Sequence, residues 1–451
     1  MLTQLQIENW KSFTTATLHF DPLSVLIGTN ASGKSNVLDA LQFLNRVASG
    51  ILITAALQGD STMPPLRGGM EWAAKRPGNR FVVGVTVRSD DTTDYEYRLE
   101  CQIVETRCDV LAEQLHRIKY RLDKKGGRKR LPGNGVRLYR TDICEDHAPT
   151  ITARLYNEKQ GTPRPLSRAH TVLYQLAGQP TRQEIKEGIA AVALALREIF
   201  ILDPIPSHMR GFSPFSEKLE PDARNIAGVI AALAEAKQKE MEAVLTEYAS
   251  QLPERDIRRI YAEPVGKFKT DAMLYCEEHW LDTGDPPTVD APSRSDGAEN
   301  QAAAAQVEAT PTIDARGMSD GTLRFLAILT ALLMRPKGSL LVIEEVDNGL
   351  HPSRSSLLLG MLQKVGGERG VDVLVTTHNP ALLDAMGMEL VPFITVAHRD
   401  RMTGDSVLTL LEEIEQLPKL LAQGPVGRLS SQGLIEGALK LPPLTLEAVA
   451  Q

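Results

Sequence analysis

The octapeptide Gly28-Thr29-Asn30-Ala31-Ser32-Gly33-Lys34-Ser35 combines glycines, an amine and a hydroxyl at the spacing that wraps a polyphosphate. Its glycines let backbone N–H groups approach the anion, and the N-terminus of a following helix adds partial positive charge. Lys34 is placed to reach β and γ phosphates, while Ser35 offers its hydroxyl to Mg²⁺. Asn30, Gly33, Lys34 and Ser35 are therefore the expected nucleotide contacts. Far downstream, the apolar run Ser339-Leu340-Leu341-Val342-Ile343 ends in Glu344 and Glu345. Alternation along a strand would point the two carboxylates in different directions, so they divide the work. Glu344 is expected to hold Mg²⁺ through water, and Glu345 to orient or deprotonate an attacking water. A second apolar run, 371–375, delivers Thr376-Thr377-His378-Asn379-Pro380, where the imidazole of His378 can hydrogen-bond a γ-phosphate or that water. Finally, Met318-Ser319-Asp320-Gly321-Thr322 precedes an apolar helix over 323–334, which Ser319 is expected to cap while N–H groups at its start face an anion.

These groups need a scaffold that joins distant segments. The apolar run 23–27 before the loop and the helical spacing of Val37, Leu38, Leu41 and Leu44 after it predict a strand, loop and helix. Strands over 2–7 and 16–20 join this α/β core. From Arg80 two strand-like runs, separated by Asp90-Asp91-Thr92-Thr93-Asp94, predict an antiparallel β layer. Amphipathic patterns over 181–200 and 222–252 predict a helical lobe. The stretch 282–312, rich in Pro, Asp, Ser, Gly and Ala, reads as a linker. The expected organisation is 1–115 as the N-terminal half of a nucleotide-binding head with its β layer, 116–312 as an insertion, and 313–451 as the returning half.

Length and composition narrow the classes. A chain of 451 residues exceeds one compact core, and 42% hydrophobic with 24% charged residues is ordinary for a globular protein. No apolar run spans a bilayer, and the alternating start of the chain differs from a signal peptide, so a cytoplasmic location without membrane contact is expected. Cys101, Cys108, Cys144 and Cys276 lack CxxC spacing and read as reduced thiols. The net charge of −7 argues against a generally basic coat, yet Asp123 is the only acid among ten Lys and Arg over 117–140. With Gly126-Gly127 and Pro132-Gly133-Asn134-Gly135 as turn signals, this segment predicts a basic hairpin or loop. Lys124, Lys125, Arg128, Lys129 and Arg130 could meet a DNA backbone or simply be solvated, and Tyr120 and Tyr139 could stack on bases or pack.

The segments IENWKSF, IGTNASGKSN, MRGFSPFSEKLEPDARNIAGVI, ARGMSDGTLRFLAIL, LLVIEEVDNGLHP and VLVTTHNPALLD together resemble the ATP-binding-cassette-type heads of the SMC, RecF and overcoming-lysogenization-defect ATPases. The likeness is nearest to the bacterial AAA-type ATPases of the last branch, without a fused nuclease. It implies ATP and Mg²⁺ as cofactors, with Ser319 and Gly321 as the signature segment and Glu344 and Glu345 as the Walker B pair. Asp347 to Leu350 would be a dimer-facing loop, His378 a switch histidine, and Lys11, Ser12 and Phe13 neighbours of the nucleotide. Glu344 stands where the family usually has Asp, and Ser-Asp-Gly-Thr replaces the transporter signature Ser-Gly-Gly-Gln. Gln58, Gln102 and Gln114 all remain candidates for the Q-loop glutamine.

In such heads one signature closes over the nucleotide of another, which implies a homodimer or higher homo-oligomer. The expected role is a nucleotide switch of an anti-phage, abortive-infection-type system that senses DNA or a phage component. Because 381–451 shows no Asp-x-Asp motif in a suitable glycine context, the effector nuclease or toxin is expected to be a separate protein. The alternatives are a RecF-like DNA-repair ATPase and a slow nucleotide-dependent scaffold.

Overall fold

The computed structural model describes residues 1–124, 126–143, 148–157, 159–252, 256–279 and 312–439. The chain forms two compact units, Met1–Asp203 with Ala331–Gln451, and Pro204–Thr330.

The first unit contains two sheets. Five fully parallel neighbours, Ile199–Leu202, Leu340–Ile343, Asp372–Thr377, Leu23–Ile27 and Ile394–Arg399, are followed by antiparallel Ser406–Leu410. Every residue of Leu23–Ile27, Leu340–Ile343 and Asp372–Thr377 is buried, which is why these strands read as continuous apolar runs rather than alternating ones. Their register aligns the ends that matter: Ile27 pairs with Thr377, and Ile343 with Val375. Gly28 and His378 thus leave the C-terminal ends of adjacent strands at one level, and Glu344 leaves the next strand two residues earlier, despite their distance in sequence.

The second sheet is antiparallel and eight-stranded, ordered Phe13–His19, Leu2–Trp10, Arg80–Asp90, Thr93–Val104, Arg107–Leu122, Arg128–Thr141, Thr150–Leu155 and Thr162–Ser167. The helix Lys34–Ala48 is tied to it by an aromatic cluster: Trp10 lies 5.7 Å from Phe43 and 5.0 Å from Phe81. The sheet is larger than the expected β layer because its strands continue through the basic segment. Arg107–Leu122 crosses the boundary drawn at 115/116, and packing divides the chain elsewhere.

The helical pattern over 181–200 yields a helix only at Gln183–Arg197, after which Ile199–Leu202 becomes an edge strand of the parallel sheet. The β-branched and aromatic run Ile-Phe-Ile-Leu favours extended backbone once a parallel partner is available. This helix sits on the antiparallel sheet, so closely that a Cβ at Gly188 would lie 2.4 Å from Leu138 Cδ1.

In the second unit, 222–252 is two helices, Ile226–Ala231 and Glu235–Ala249, rather than one. The first is buried on nearly every side, whereas the second buries one face, Met241, Glu242, Leu245, Tyr248 and Ala249, and exposes the other. A small sheet of Ser213–Pro214, Asp256–Val265 and Asp271–His279, with Thr312–Asp314 added, completes this unit. The outer edge of Asp256–Val265 is covered by side chains of the second helix. Thr246 Oγ1 accepts from Ile260 N at 2.9 Å and Glu242 Oε1 from Ala262 N at 3.1 Å, which satisfies backbone groups that an open edge would expose. Most of the expected linker, 282–311, lies outside the described residues, as does Cys144.

Candidate functional site

The phosphate loop is shaped by close neighbours. A Cβ at Gly28 would fall 2.2 Å from the Ala397 carbonyl oxygen. At Gly33, whose φ is 115°, it would meet Ser406 Oγ at 2.6 Å and Phe13 Cζ at 2.8 Å. Both positions therefore require glycine for space as well as for backbone conformation. Lys34 Nζ folds back over the loop, donating to the carbonyls of Gly28 at 2.5 Å and Thr29 at 3.1 Å. Burial lowers its pKa, an effect that the nearby charges of Glu345 and Glu344 oppose. Asn30 lies on the exposed rim, and Ser32 Oγ is buried with no hydrogen-bond partner.

Ser35 Oγ donates to Glu344 Oε1 at 3.2 Å, closing the separation between loop and acidic strand end. Among the described residues no group of three or more His, Cys, Asp or Glu could hold a metal ion. The hydroxyl and carboxylate are hard oxygen donors, and with phosphate oxygens they suit Mg²⁺, which seldom uses an all-protein cage. Glu344 Oε2 also accepts from Arg67 Nη2 at 2.6 Å. Arg67 lies 3.9 Å from Asp39, one helical turn beyond Ser35, and Asp39 pairs with Lys11 Nζ at 2.5 Å. Lys11 also donates to the Arg67 carbonyl at 2.7 Å. Its ammonium is thus committed to the protein side of the site, contrary to a free lysine waiting for nucleotide. Burial lowers its pKa while Asp39 raises it.

The divergence of Glu344 and Glu345 has a different cause from the one expected. The strand ends at Ile343, and Glu345 takes a left-handed backbone with φ of 46°. That turn, rather than strand alternation, re-aims its side chain. It is held by the adjacent strand: Glu345 N donates to Thr376 Oγ1 at 2.8 Å, and Val346 N to the Thr376 carbonyl at 3.1 Å. His378 Nδ1 then comes within 3.9 Å of Glu345 Oε1, both side chains being partly exposed. An acceptor for a water proton and an imidazole therefore stand side by side, a disposition suited to holding a water against a phosphate.

Ser319 and Gly321 belong to the second unit. Ser319 Oγ accepts from Thr322 N at 3.1 Å and opens the helix Asp320–Met334. The preceding loop is gathered by Arg210, whose Nη1 reaches the carbonyls of Ala315, Arg316 and Met318 at 2.8–3.1 Å and whose Nη2 meets Asp320 at 2.5 Å.

In the basic segment, Arg128 is bound by Asp94 at 2.6 Å and stacks on Tyr120 at 4.1 Å, so its charge is largely matched within the sheet. Arg130 approaches Glu96 at 3.8 Å; Lys124 and Lys129 are exposed, and Lys125 lies outside the described residues. Tyr139 is buried, donating to Glu113 at 2.8 Å, and packs rather than stacking outward. The roles of Arg67, Asp39, Thr376 and Arg210 were not legible in the sequence, although Thr376 and Arg210 lie in its motif segments, because each works through a partner remote in the chain; Gly68 and Gly69, with φ of 77° and 58°, mark only a turn beside Arg67. No helix of the described residues is long and apolar enough to cross a membrane.

Residues 1–123 match the family described as "AAA ATPase domain", and residues 247–384 the family described as "AAA domain, putative AbiEii toxin, Type IV TA system". AAA-type ATPase segments thus contain the phosphate loop in one case and Ser319, Glu344, Glu345 and His378 in the other. No curated protein matches the chain. Among solved structures, an Smc head bound to the C-winged helix domain of ScpA is similar at 14% identity over 91% of this chain and 99% of that one, with a TM-score of 0.43. The SMC head domain from Thermotoga maritima shares 12% identity over 91% and 98%, with a TM-score of 0.38. An Smc head with an extended coiled coil, bound to the C-terminal domain of ScpA derived from Pyrococcus furiosus, shares 12% over 93% and 99%, with a TM-score of 0.42.

Proposed function

We propose that this AAA-type chain binds and hydrolyses ATP as the nucleotide switch of an abortive-infection-type anti-phage system, controlling a separate nuclease or toxin. The observation that carries the enzymatic part is the meeting of Ser35, Glu344, Glu345 and His378 beside Lys34 at the C-terminal ends of adjacent parallel strands. In the proposed reaction the loop N–H groups and Lys34 bind the β and γ phosphates. Glu345 accepts a proton from water as its oxygen attacks the γ-phosphorus, and the bond to the β-phosphate bridging oxygen breaks, giving ADP and phosphate. His378 holds that water or a γ-phosphate oxygen. Ser35 and Glu344 would hold Mg²⁺, which offsets phosphate charge when bound.

The defence role draws support from the family matched over 247–384. Completion of the site by Ser319 and Gly321 of a second copy makes the active form a homodimer or a higher assembly, drawn together by ATP and released by hydrolysis. Sedimentation of Glu345→Gln tests this: ATP should shift it to a larger species, and Lys34→Ala should abolish both that shift and ATP turnover. A Glu345→Gln chain whose size is indifferent to ATP refutes the dimer switch. The exposed Lys124, Lys129 and Arg130 favour a second reading, a RecF-like repair ATPase that touches DNA directly. Salt-dependent DNA binding that vanishes when these residues are neutralised supports it.

A further inference from the structure

The hairpin formed by Ile394–Arg399 and Ser406–Leu410 meets the phosphate loop at three places. At its start the Ala397 carbonyl fills the space where a Gly28 side chain would stand, and at its return Ser406 fills that beside Gly33. Between these, Arg399 Nε donates to the Ala31 carbonyl at 2.9 Å, and its Nη1 donates to the Gly404 carbonyl at 2.9 Å. The hairpin is itself anchored. Ser406 N donates to the Ser12 carbonyl at 2.9 Å, Asp405 pairs with Lys75 at 2.5 Å, and the turn is closed by Asp400, which accepts from Met402 N and Thr403 N at 2.8 Å.

Ala31 is the loop residue that most needs such support. Its φ is 63°, the left-handed region that a Cβ disfavours. The peptide group that follows it is gripped at both ends, because the Ala31 carbonyl accepts from Arg399 and Ser32 N donates to the Thr29 carbonyl at 3.2 Å. A peptide held this way cannot flip to relieve Ala31, and its neighbours keep their N–H groups in the orientation that makes an anion-binding concavity. We infer that Arg399 is a positioning residue for nucleotide binding, presetting the phosphate loop through the Ala31 carbonyl. It acts on the loop rather than on the reacting atoms. The inference rests on reading 28–35 as the nucleotide loop and adds a residue outside every motif that identified it.

The experiment is to measure ADP binding and steady-state ATP turnover by the full chain and by Arg399→Ala and Arg399→Lys. Arg399→Ala should weaken ADP binding by about tenfold or more while kcat at saturating ATP stays within about threefold, since pre-organisation governs binding before chemistry. Lysine has one donor head where arginine spans two carbonyls, so Arg399→Lys should fall between. If the alanine variant fails to fold, the lysine variant carries the test, and binding equal to wild type then overturns the inference. ADP binding within twofold of wild type in Arg399→Ala, or a lost kcat with unchanged binding, overturns the role of Arg399 and leaves the nucleotide site standing. A wild-type chain that binds no nucleotide overturns both.

Discussion

Replacing Thr376 by valine isolates what holds the proposed base in place. The side chain is 1% exposed, and its hydroxyl accepts from the backbone N–H of Glu345 at 2.8 Å. Valine keeps the shape and the extended preference of a buried strand, so the main change is loss of one acceptor. An N–H left without a partner at this half-buried turn costs about 1–3 kcal/mol, and the left-handed backbone of Glu345 (φ 46°) already costs about 1–2 kcal/mol for a residue with a Cβ. Without the hydroxyl, the left-handed turn of Glu345 loses one of the two hydrogen bonds to Thr376 that hold it, and its carboxylate is less firmly kept beside His378. Recovering the working conformer should then require about 1–3 kcal/mol, or about 5- to 150-fold in kcat. Phosphate release at saturating ATP measures kcat, and fluorescent-nucleotide titration measures binding, which should change less than threefold because the Thr376 hydroxyl acts on the backbone of Glu345. Thr376→Ser, which retains the hydroxyl, should stay near wild type. The reasoning fails if Thr376→Val turns over within twofold of wild type while Glu345→Gln is inactive.

Two further outcomes follow from groups outside the motifs. Glu113 is fully buried, and burial raises its pKa from 4.5 to about 7 against the opposing hydrogen bonds of Val172 N, Leu173 N and Tyr139. The folded chain keeps this proton up to about pH 7 while the unfolded chain releases it near 4.5, so the native state binds more protons between these values. Stability must fall as pH rises through that window, by about 3 kcal/mol at 1.36 kcal/mol per pKa unit; Glu113→Gln should flatten this part of the urea-midpoint profile between pH 5 and 8, and an equally steep profile counts against it. Under the proposed role of Glu344, Arg67 would compete with Mg²⁺ for it through a half-exposed ion pair worth about 0.2–1 kcal/mol. Arg67→Ala should therefore lower the Mg²⁺ concentration for half-maximal turnover by up to about fivefold, and an unchanged or higher requirement would contradict competition at this carboxylate.

Much of the site was legible because its chemistry demands residue types in local order. The loop at 28–35 needs glycines at fixed offsets, and the strands delivering Glu344 and His378 are short apolar runs whose burial on both faces leaves an unmistakable composition. The basic segment was visible too, but its meaning was not: Arg128 faces Asp94 and Tyr139 faces Glu113 across strands, so residues that looked available for a partner are satisfied internally. The helix expected over 181–200 ended early for a related reason, since only the neighbouring strand Leu340–Ile343 shows that Ile199–Leu202 has a parallel partner.

From the sequence by itself came the candidate phosphate-binding loop, the acidic pair and the histidine, because backbone conformation and donor type act over a few consecutive residues. Tertiary structure alone decided how they converge. The register that sets Thr377 level with Ile27 and Ile343 level with Val375, the left-handed turn of Glu345 under Thr376, and the grips of Arg67 on Glu344 and Arg399 on Ala31 all depend on partners far apart in the chain. Hydrogen bonds and ion pairs act over a few ångströms of space, and sequence separation does not measure that distance.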